Sequence, residues 1–255
     1  MTIIAVFNQK GGVGKTTTAL NLAAALIRTG RTAYGIDLDP QAHLSSISGI
    51  TVRSGDETML SLFQRNRPLR ELVQDTSSHI KIIPSHAELS KVDALYGKGY
   101  NVVNRLNSSL QAENFGKKET PVIIDCCPMI GVLSLNALFA CNGLIVPIAA
   151  DHLSTKGAIQ LEKSLSALEH VLKRRIQRRY LLTRFDGRRR MAWDVLSLVE
   201  ERFGQDVCKT KISENVSLAE SPALNLTVFE HAPTSRGAQD YDDLVAELLA
   251  DGFIE

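Results

Sequence analysis

One stretch constrains this chain more than any other: Lys10-Gly11-Gly12-Val13-Gly14-Lys15-Thr16-Thr17, set between the apolar run Ile3-Ile4-Ala5-Val6-Phe7 and a segment of helical period. The apolar run predicts a buried strand over residues 2–8. Beyond the loop, Ala19, Leu22, Ala23 and Leu26 recur at the i, i+3, i+4, i+7 spacing of one helix face, and Gly30 supplies the stop, so a helix is expected over 14–29. A glycine loop joining a strand to a helix aims backbone N–H groups and the positive end of the helix dipole at one point, which suits a phosphate chain. In that setting Lys15 meets the β- and γ-phosphates of a nucleotide, and the Thr16 hydroxyl meets Mg²⁺. A glycine-rich turn with a solvated lysine is the plain alternative, and it leaves the strand, the helix and the Gly-Lys-Thr-Thr run between them unexplained.

Apolar runs and helical periods go on alternating, the pattern of β-α-β units. Strands are expected at 32–38, 79–84, 122–127, 144–148 and 180–185, and helices around 133–140, 157–172, 191–203 and 237–249. Residues 45–78 and 86–120 are less legible. Apolar content of 44% with only 5% aromatics suits helices on both faces of a parallel sheet better than a β-sandwich. The predicted fold class is therefore α/β, a mostly parallel twisted sheet covered on both faces. No internal repeat, low-complexity tract or Pro/Gly/Ser linker divides the 255 residues, so a single domain over 1–255 is the economical reading.

No apolar stretch reaches the ~18 to 20 residues of a membrane-crossing helix. Neither a basic leader with a cleavage site nor a helix-turn-helix stands before the first strand, so a cytoplasmic protein without operator-specific DNA binding is expected. Cys126, Cys127, Cys141 and Cys208 lack a C-x-x-C pair and read first as small buried residues, metal ligation being the weaker reading. Net charge is only +1, but nine Lys/Arg against the single acid Asp186 fall between Lys173 and Arg190. A polyanionic partner is expected to meet that segment.

Nucleotide hydrolysis also needs carboxylates at the carboxyl ends of neighbouring strands, to hold the metal and orient water. Two places fit. One apolar run ends in Asp37-Leu38-Asp39-Pro40-Gln41, the other in Ile123-Ile124-Asp125. A turn-forming role for each aspartate is the bland alternative, and the glycine loop weighs against it.

The loop departs from the strict P-loop pattern, since Gln9 stands where the first glycine belongs and Lys10 opens the run. In this it resembles the deviant Walker A of the ParA/MinD family. Asp-x-Asp-Pro-Gln at 37–41, Asp125-Cys126-Cys127-Pro128 in place of the family's D-x-P-P, Leu135-Asn136-Ala137-Leu138, Ile145-Val146-Pro147-Ile148, Leu182-Thr183-Arg184-Phe185-Asp186-Gly187-Arg188 and Ser235-Arg236-Gly237-Ala238 extend the resemblance over nearly the whole chain, most strongly toward the ParA/Soj branch. The resemblance implies an ATPase, slow without its partner, with ATP and Mg²⁺ as cofactors. Residues 10–17 bind ATP, Lys10 acts in trans across an ATP-bound homodimer, Asp39 positions water, and Asp37 and Asp125 lie near the metal with Thr16. It further places Thr183, Ser213 and Asn215 near the adenine. The implied partners are nonspecific nucleoid DNA and a ParB-like adaptor that stimulates hydrolysis.

One departure is informative. Ile212-Ser213-Glu214-Asn215-Val216-Ser217-Leu218 stands where relatives commonly read I-P-R-N-V-R-L, so both arginines that help those relatives bind DNA are missing. DNA binding then falls to the basic segment, with Arg188, Arg189 and Arg190 as the candidate contacts. Three readings compete with a partition or cargo-positioning ATPase. A MinD-like membrane switch needs a basic terminal helix, whereas residues 240–251 are acidic. A nitrogenase-reductase-like protein needs glycine-flanked cluster cysteines, which are missing, and Cys126 and Cys127, expected inside a strand, would point to opposite faces. A nucleotide-gated scaffold with little hydrolysis is disfavoured by Lys10, Lys15, Asp39 and Asp125. The cargo itself is not legible.

Overall fold

In the computed structural model, which describes residues 1–97 and 99–255, strands β1 (Ile3–Val6), β2 (Tyr34–Asp37), β3 (Gln74–Asp75), β4 (Lys81–Ile83), β5 (Val122–Asp125), β6 (Gly143–Ala149) and β7 (Gln177–Thr183) form one sheet. Their order is β3-β4-β2-β5-β1-β6-β7. Every neighbouring pair is parallel except β3 with β4. Parallel strands are covered on both faces, which is why the short runs Ile-Ile-Ala-Val and Val-Ile-Ile-Asp are buried from end to end. Six helices of eight residues or more are found among the described residues: α1 (Lys15–Arg28), α2 (Arg105–Ala112), α3 (Val132–Ala140), α4 (His152–Leu172), α5 (Arg190–Phe203) and α6 (Arg236–Ala250).

Side chains alternate across the sheet, so β1 divides its residues between two cores. Ile4 and Val6 pack under α1 and α6, while Ile3, Ala5 and Phe7 pack under α2 to α5. The chain leaves β1 toward β2 on one side, and after β5 it crosses back to β6 on the other. Such a reversal opens a crevice at the carboxyl ends of the central strands. Register sets what lines it: Asp125 of β5 stands level with Val6 of β1 on one side and with Asp37 of β2 on the other.

The expected strands and helices are present, with three differences of physical interest. The edge strand β3 went unseen because two residues carry no period. Helix α4 begins at His152 rather than near Gly157, because Asp151 accepts the Ser154 N–H at 2.7 Å and caps it. Cys126 and Cys127 lie beyond the end of β5, not within it as expected. Both are free and buried, and burial pushes the Cys127 thiol up to about 11, which fits inert packing residues.

The basic segment 173–190 is not the open cationic surface expected from its sequence. Arg178 is 3% exposed and bonds to Glu162 and Glu169 of α4. Arg174 donates to the carbonyls of Leu138, Phe139 and Cys141 at the end of α3, where the helix dipole favours a cation. Arg175 and Arg179 both reach Asp206, and Arg179 also reaches Asp251. Much of the segment's charge thus fastens β7 to its neighbours. Replacing Arg178 by alanine strands two carboxylates in a partly buried site and is expected to cost about 3–5 kcal/mol in urea unfolding. Lys173→Ala, at an exposed position, should stay within about 0.5 kcal/mol. Equal midpoints for the two variants would contradict this assignment.

Candidate nucleotide site

The loop between β1 and α1 turns on two glycines in the left-handed region, Gly12 at φ 76° and Gly14 at φ 86°, where a side chain would be strained. Gly14 accepts the first helical hydrogen bond from Thr18 N–H at 2.8 Å, so α1 starts directly out of the loop. Val13 is buried beneath it, and the Thr183 hydroxyl at the end of β7 donates to the Val13 carbonyl at 2.9 Å, fastening the loop to the sheet. Gly11 and Gly12 stay exposed, leaving backbone N–H groups open to a ligand.

Lys15 curls back over this cradle, and its ammonium donates to the Lys10 carbonyl at 3.0 Å. It is 8% exposed; burial lowers its pKa, with the charges of Asp125 and Asp39 opposing that shift. Three aspartates stand around it. Asp37 is saturated: one oxygen accepts the Asp39 N–H at 3.0 Å, and the other accepts the Ser45 N–H at 2.8 Å and the Ser45 hydroxyl at 2.7 Å. Burial still raises it to about 6. Asp39 caps its own turn by accepting the Gln41 N–H at 2.9 Å, and the Ser85 hydroxyl holds its carbonyl at 2.6 Å.

Asp125 differs. It is fully buried, neither of its oxygens has a well-formed hydrogen bond, and burial drives its pKa well above the carboxylate range, which the nearby Thr16 hydroxyl only partly offsets. A buried carboxylate without partners is costly, and a hard divalent cation is the partner that oxygen donors of this kind fit. Asp125 with Thr16 therefore suits Mg²⁺, while Asp37 braces the turn that carries Asp39. Ser45 and Ser85 had no sequence signal, since each is a serine in a segment without legible period.

Beside the loop, Thr183, Ser213 and Asn215 line a cleft of about 440 Å³ together with Gly14, Thr17 and Tyr241. The three residues expected near a base are thus brought together. Ser213 N–H donates to the Asp240 carboxylate at 2.7 Å, and Asn215 Oδ1 accepts the Leu218 N–H at 3.3 Å, so the Ser213 backbone and the Asn215 side chain are both held in place. Tyr241 shares a hydrogen bond with Thr18 at 3.3 Å and was missed because it reads as an ordinary core position of α6. Farther along the same loops, Arg188 and Arg189 both pair with Asp186, at 2.8 and 3.2 Å, and Arg189 also pairs with Glu214 at 3.2 Å. Arg190 has no ion pair among the described residues.

A family model described as an AAA domain matches residues 1–178, which include the loop and all three aspartates. The chromosome-partitioning ATPase Soj of Thermus thermophilus is 35% identical over 248 residues, 97% of this chain and 95% of its own. The chain belongs to the ParA/Soj family of partition ATPases. Soj of Bacillus subtilis, a sporulation initiation inhibitor, is 31% identical over 98% of this chain and 99% of its own. Among solved structures, cobyrinic acid a,c-diamide synthase from Mycobacterium smegmatis, with bound ATP analogue and magnesium, superposes with a TM-score of 0.84 at 27% identity, covering 99% of this chain and 96% of that one. Lys15 is the buried ammonium of this candidate site, and Lys15→Gln is expected to weaken nucleotide binding by about two orders of magnitude, the loss of charge-assisted bonds to phosphate. Wild-type affinity in calorimetry would refute the role.

The raised Asp37 also makes the free protein sensitive to pH. Between about 4 and 6 the folded chain keeps a proton that the unfolded chain has released, so stability falls as pH rises through that window and levels off above it. Without Mg²⁺ or nucleotide, the stability of wild type relative to Asp37→Asn should decline across the window by on the order of 2–3 kcal/mol. A difference that stays flat from pH 4 to 7 would contradict the raised carboxyl.

Proposed function

We propose that this partition ATPase runs a cycle on DNA: ATP with Mg²⁺ closes a homodimer, the dimer holds nucleoid DNA without sequence preference, and a ParB-like adaptor stimulates hydrolysis and release. The observation that carries the reading is the division of labour between two lysines. Lys15 lies in its own cradle, while the Lys10 ammonium sits 3.1 Å from Asp151 on the rim, free of the cradle's carboxylates. A lysine on the rim serves a neighbouring subunit's phosphates better than its own. Met129, Ile130 and Leu153, all exposed, supply apolar surface for that neighbour.

Within the closed site, residues 11–17 cradle the phosphates through N–H groups, and Lys15 neutralises charge on the transferred group. Thr16 and Asp125 would hold Mg²⁺, which would supply Lewis-acid stabilisation of the phosphate oxygens. Asp39, carried on the turn that Asp37 and Ser45 brace, orients the attacking water. Thr183, Ser213 and Asn215 border the base. The protein acts in the cytoplasm, on the nucleoid. A membrane-bound variant of the cycle is disfavoured by α6, which carries Asp242, Asp243 and Glu247 where an anionic bilayer demands basic residues.

Arg188, Arg189 and Arg190 are the proposed DNA contacts. Their side chains leave the loop at Asp186-Gly187, and the first two are exposed by 89% and 58%. Phosphate competes well with a solvent-screened carboxylate, so the pairing with Asp186 orients these arginines without consuming them. Replacing all three by alanine should weaken binding of the ATP state to arbitrary duplex DNA and make the slope of log affinity against log salt shallower by about 0.9 for each phosphate no longer neutralised. ATP turnover in the absence of DNA should hold. An affinity and a slope equal to wild type would assign these arginines to solubility or to a protein partner.

A further inference from the structure

Near its start, helix α5 carries an aromatic side chain that its packing does not require. Ala192, Val195, Leu196 and Val199 are the residues that α5 buries against the core. Trp193, the only tryptophan of the chain, stands off that face and is 50% exposed, with Met191 beside it 42% exposed. The one polar atom of the indole is turned inward, since Nε1 donates to the Gly187 carbonyl at 2.8 Å. What the side chain presents to solvent is therefore apolar ring.

That ring is held in place before any partner arrives. Phe185 meets it at 5.2 Å between centroids with the planes at 84°, an edge-to-face contact that covers at most one face of the indole. Gly187 lies against both rings, for a Cβ placed there would stand 3.7 Å from each. A side chain fixed in this way loses little freedom when a flat group settles on it. Cations surround it. Arg188 and Arg189 pair with Asp186 and Glu214, Arg190 and Lys211 have no ion pair among the described residues, and the Lys211 ammonium lies 5.9 Å from the centre of the Phe185 ring. A fixed aromatic ring among solvent-exposed cations is the combination that binds an unpaired strand of nucleic acid, where phosphates meet the charges and bases stack on the ring. In a duplex the bases are already stacked on one another, so a ring lying on a protein surface has no base face to meet.

We propose that Trp193 is a base-stacking platform that gives the arginine surface a preference for single-stranded DNA. This rests on the reading of Arg188, Arg189 and Arg190 as DNA contacts. The arginines hold the strand by its phosphates, and an unpaired base lies on the indole. Charge alone predicts the opposite preference, because a duplex carries the denser array of phosphates and releases more counterions for each contact, with a salt slope of about 0.9 against about 0.7 for a single strand. The sign of the preference therefore separates stacking from attraction to phosphate.

The test uses the full chain with Mg²⁺ and a non-hydrolysable ATP analogue, an oligothymidylate of about twenty nucleotides, long enough for a single-strand site, and a duplex of the same length. Affinities are read by anisotropy for wild type, Trp193→Ala, Trp193→Phe and the triple arginine variant. Wild type should bind the oligothymidylate at least as tightly as the duplex, and its intrinsic fluorescence should be quenched by the single strand, a signal that a lone tryptophan assigns to position 193. Trp193→Ala should lose about five- to a hundredfold in affinity for the oligothymidylate, the range of one stacked base, and stay within about twofold of wild type for the duplex. Trp193→Phe, which keeps a smaller ring, should fall between the two. The loss in Trp193→Ala should persist as salt is raised, whereas the loss from the triple arginine variant should shrink. If Trp193→Ala does not fold, the strand preference and the quenching of wild type decide alone. No quenching at saturating oligothymidylate, a duplex bound more tightly than the single strand, or an unchanged affinity in folded Trp193→Ala overturns the inference; it leaves the arginine reading standing and assigns the exposed indole to a protein partner. A triple arginine variant that binds both nucleic acids as wild type does removes the arginine reading, and the inference with it.

Discussion

Three carboxylates and one ammonium are buried together where the central strands end, and the rest of the molecule is organised around keeping them there. Burial of charge is expensive unless partners are supplied. Asp37 receives three donors from the chain itself and Asp39 is held by the turn it begins, but Asp125 is left with its oxygens open. The free chain thus stores an unsatisfied carboxylate next to a phosphate cradle. A divalent cation is the partner that would relieve that cost, and this is why Asp125 is the proposed metal residue of the site.

Parallel pairing makes the cluster possible. In a parallel sheet all carboxyl ends face one way, so residues far apart in sequence, Asp37 and Asp125, become neighbours by register and not by any local signal. The chain reversal between β5 and β6 then leaves the space above them uncovered, and the glycine loop from the strand between fills one side of it. Thr183, at the end of β7, ties that loop to the opposite half of the sheet. Loop position therefore depends on both halves of the fold.

What the sequence made legible follows from the range of each interaction. Buried strands, amphipathic helices and the glycine-lysine loop are local patterns, and they appear where expected. The braces are not local. Ser45 and Ser85 reach the aspartates through the turn after β2 and the end of β4, and Tyr241 reaches Thr18 across 223 positions. Asp151 was the exception, for its cap on Ser154 is a local signal, and attention to the periodicity alone placed the start of α4 too late. Charge was the least legible property. Summed along the chain, 173–190 is strongly basic, yet Glu162, Glu169, Asp206 and Asp251 come from other elements and pair with Arg175, Arg178 and Arg179. A linear run of charge fixes composition, whereas surface potential depends on which acids fold against it.

The same point bears on the two arginines that relatives carry and this chain lacks. Position 214 is glutamate here, and it meets Arg189 at 3.2 Å across the loop that follows β7. An arginine at 214 would instead face Arg189, replacing an attraction between half-exposed groups by a weak, salt-screened repulsion. Glu214 is thus paired with Arg189, and the loop at 212–218 carries negative charge where the loop at 186–190 carries positive charge. Because the first loop also borders the nucleotide cleft through Ser213 and Asn215, the Arg189–Glu214 pair joins the proposed DNA surface to the wall of the nucleotide site. The same two loops are also joined by backbone hydrogen bonds, Phe185 N–H to the Ile212 carbonyl at 3.0 Å and Glu214 N–H to the Phe185 carbonyl at 3.1 Å, so the ion pair sits on a shared framework.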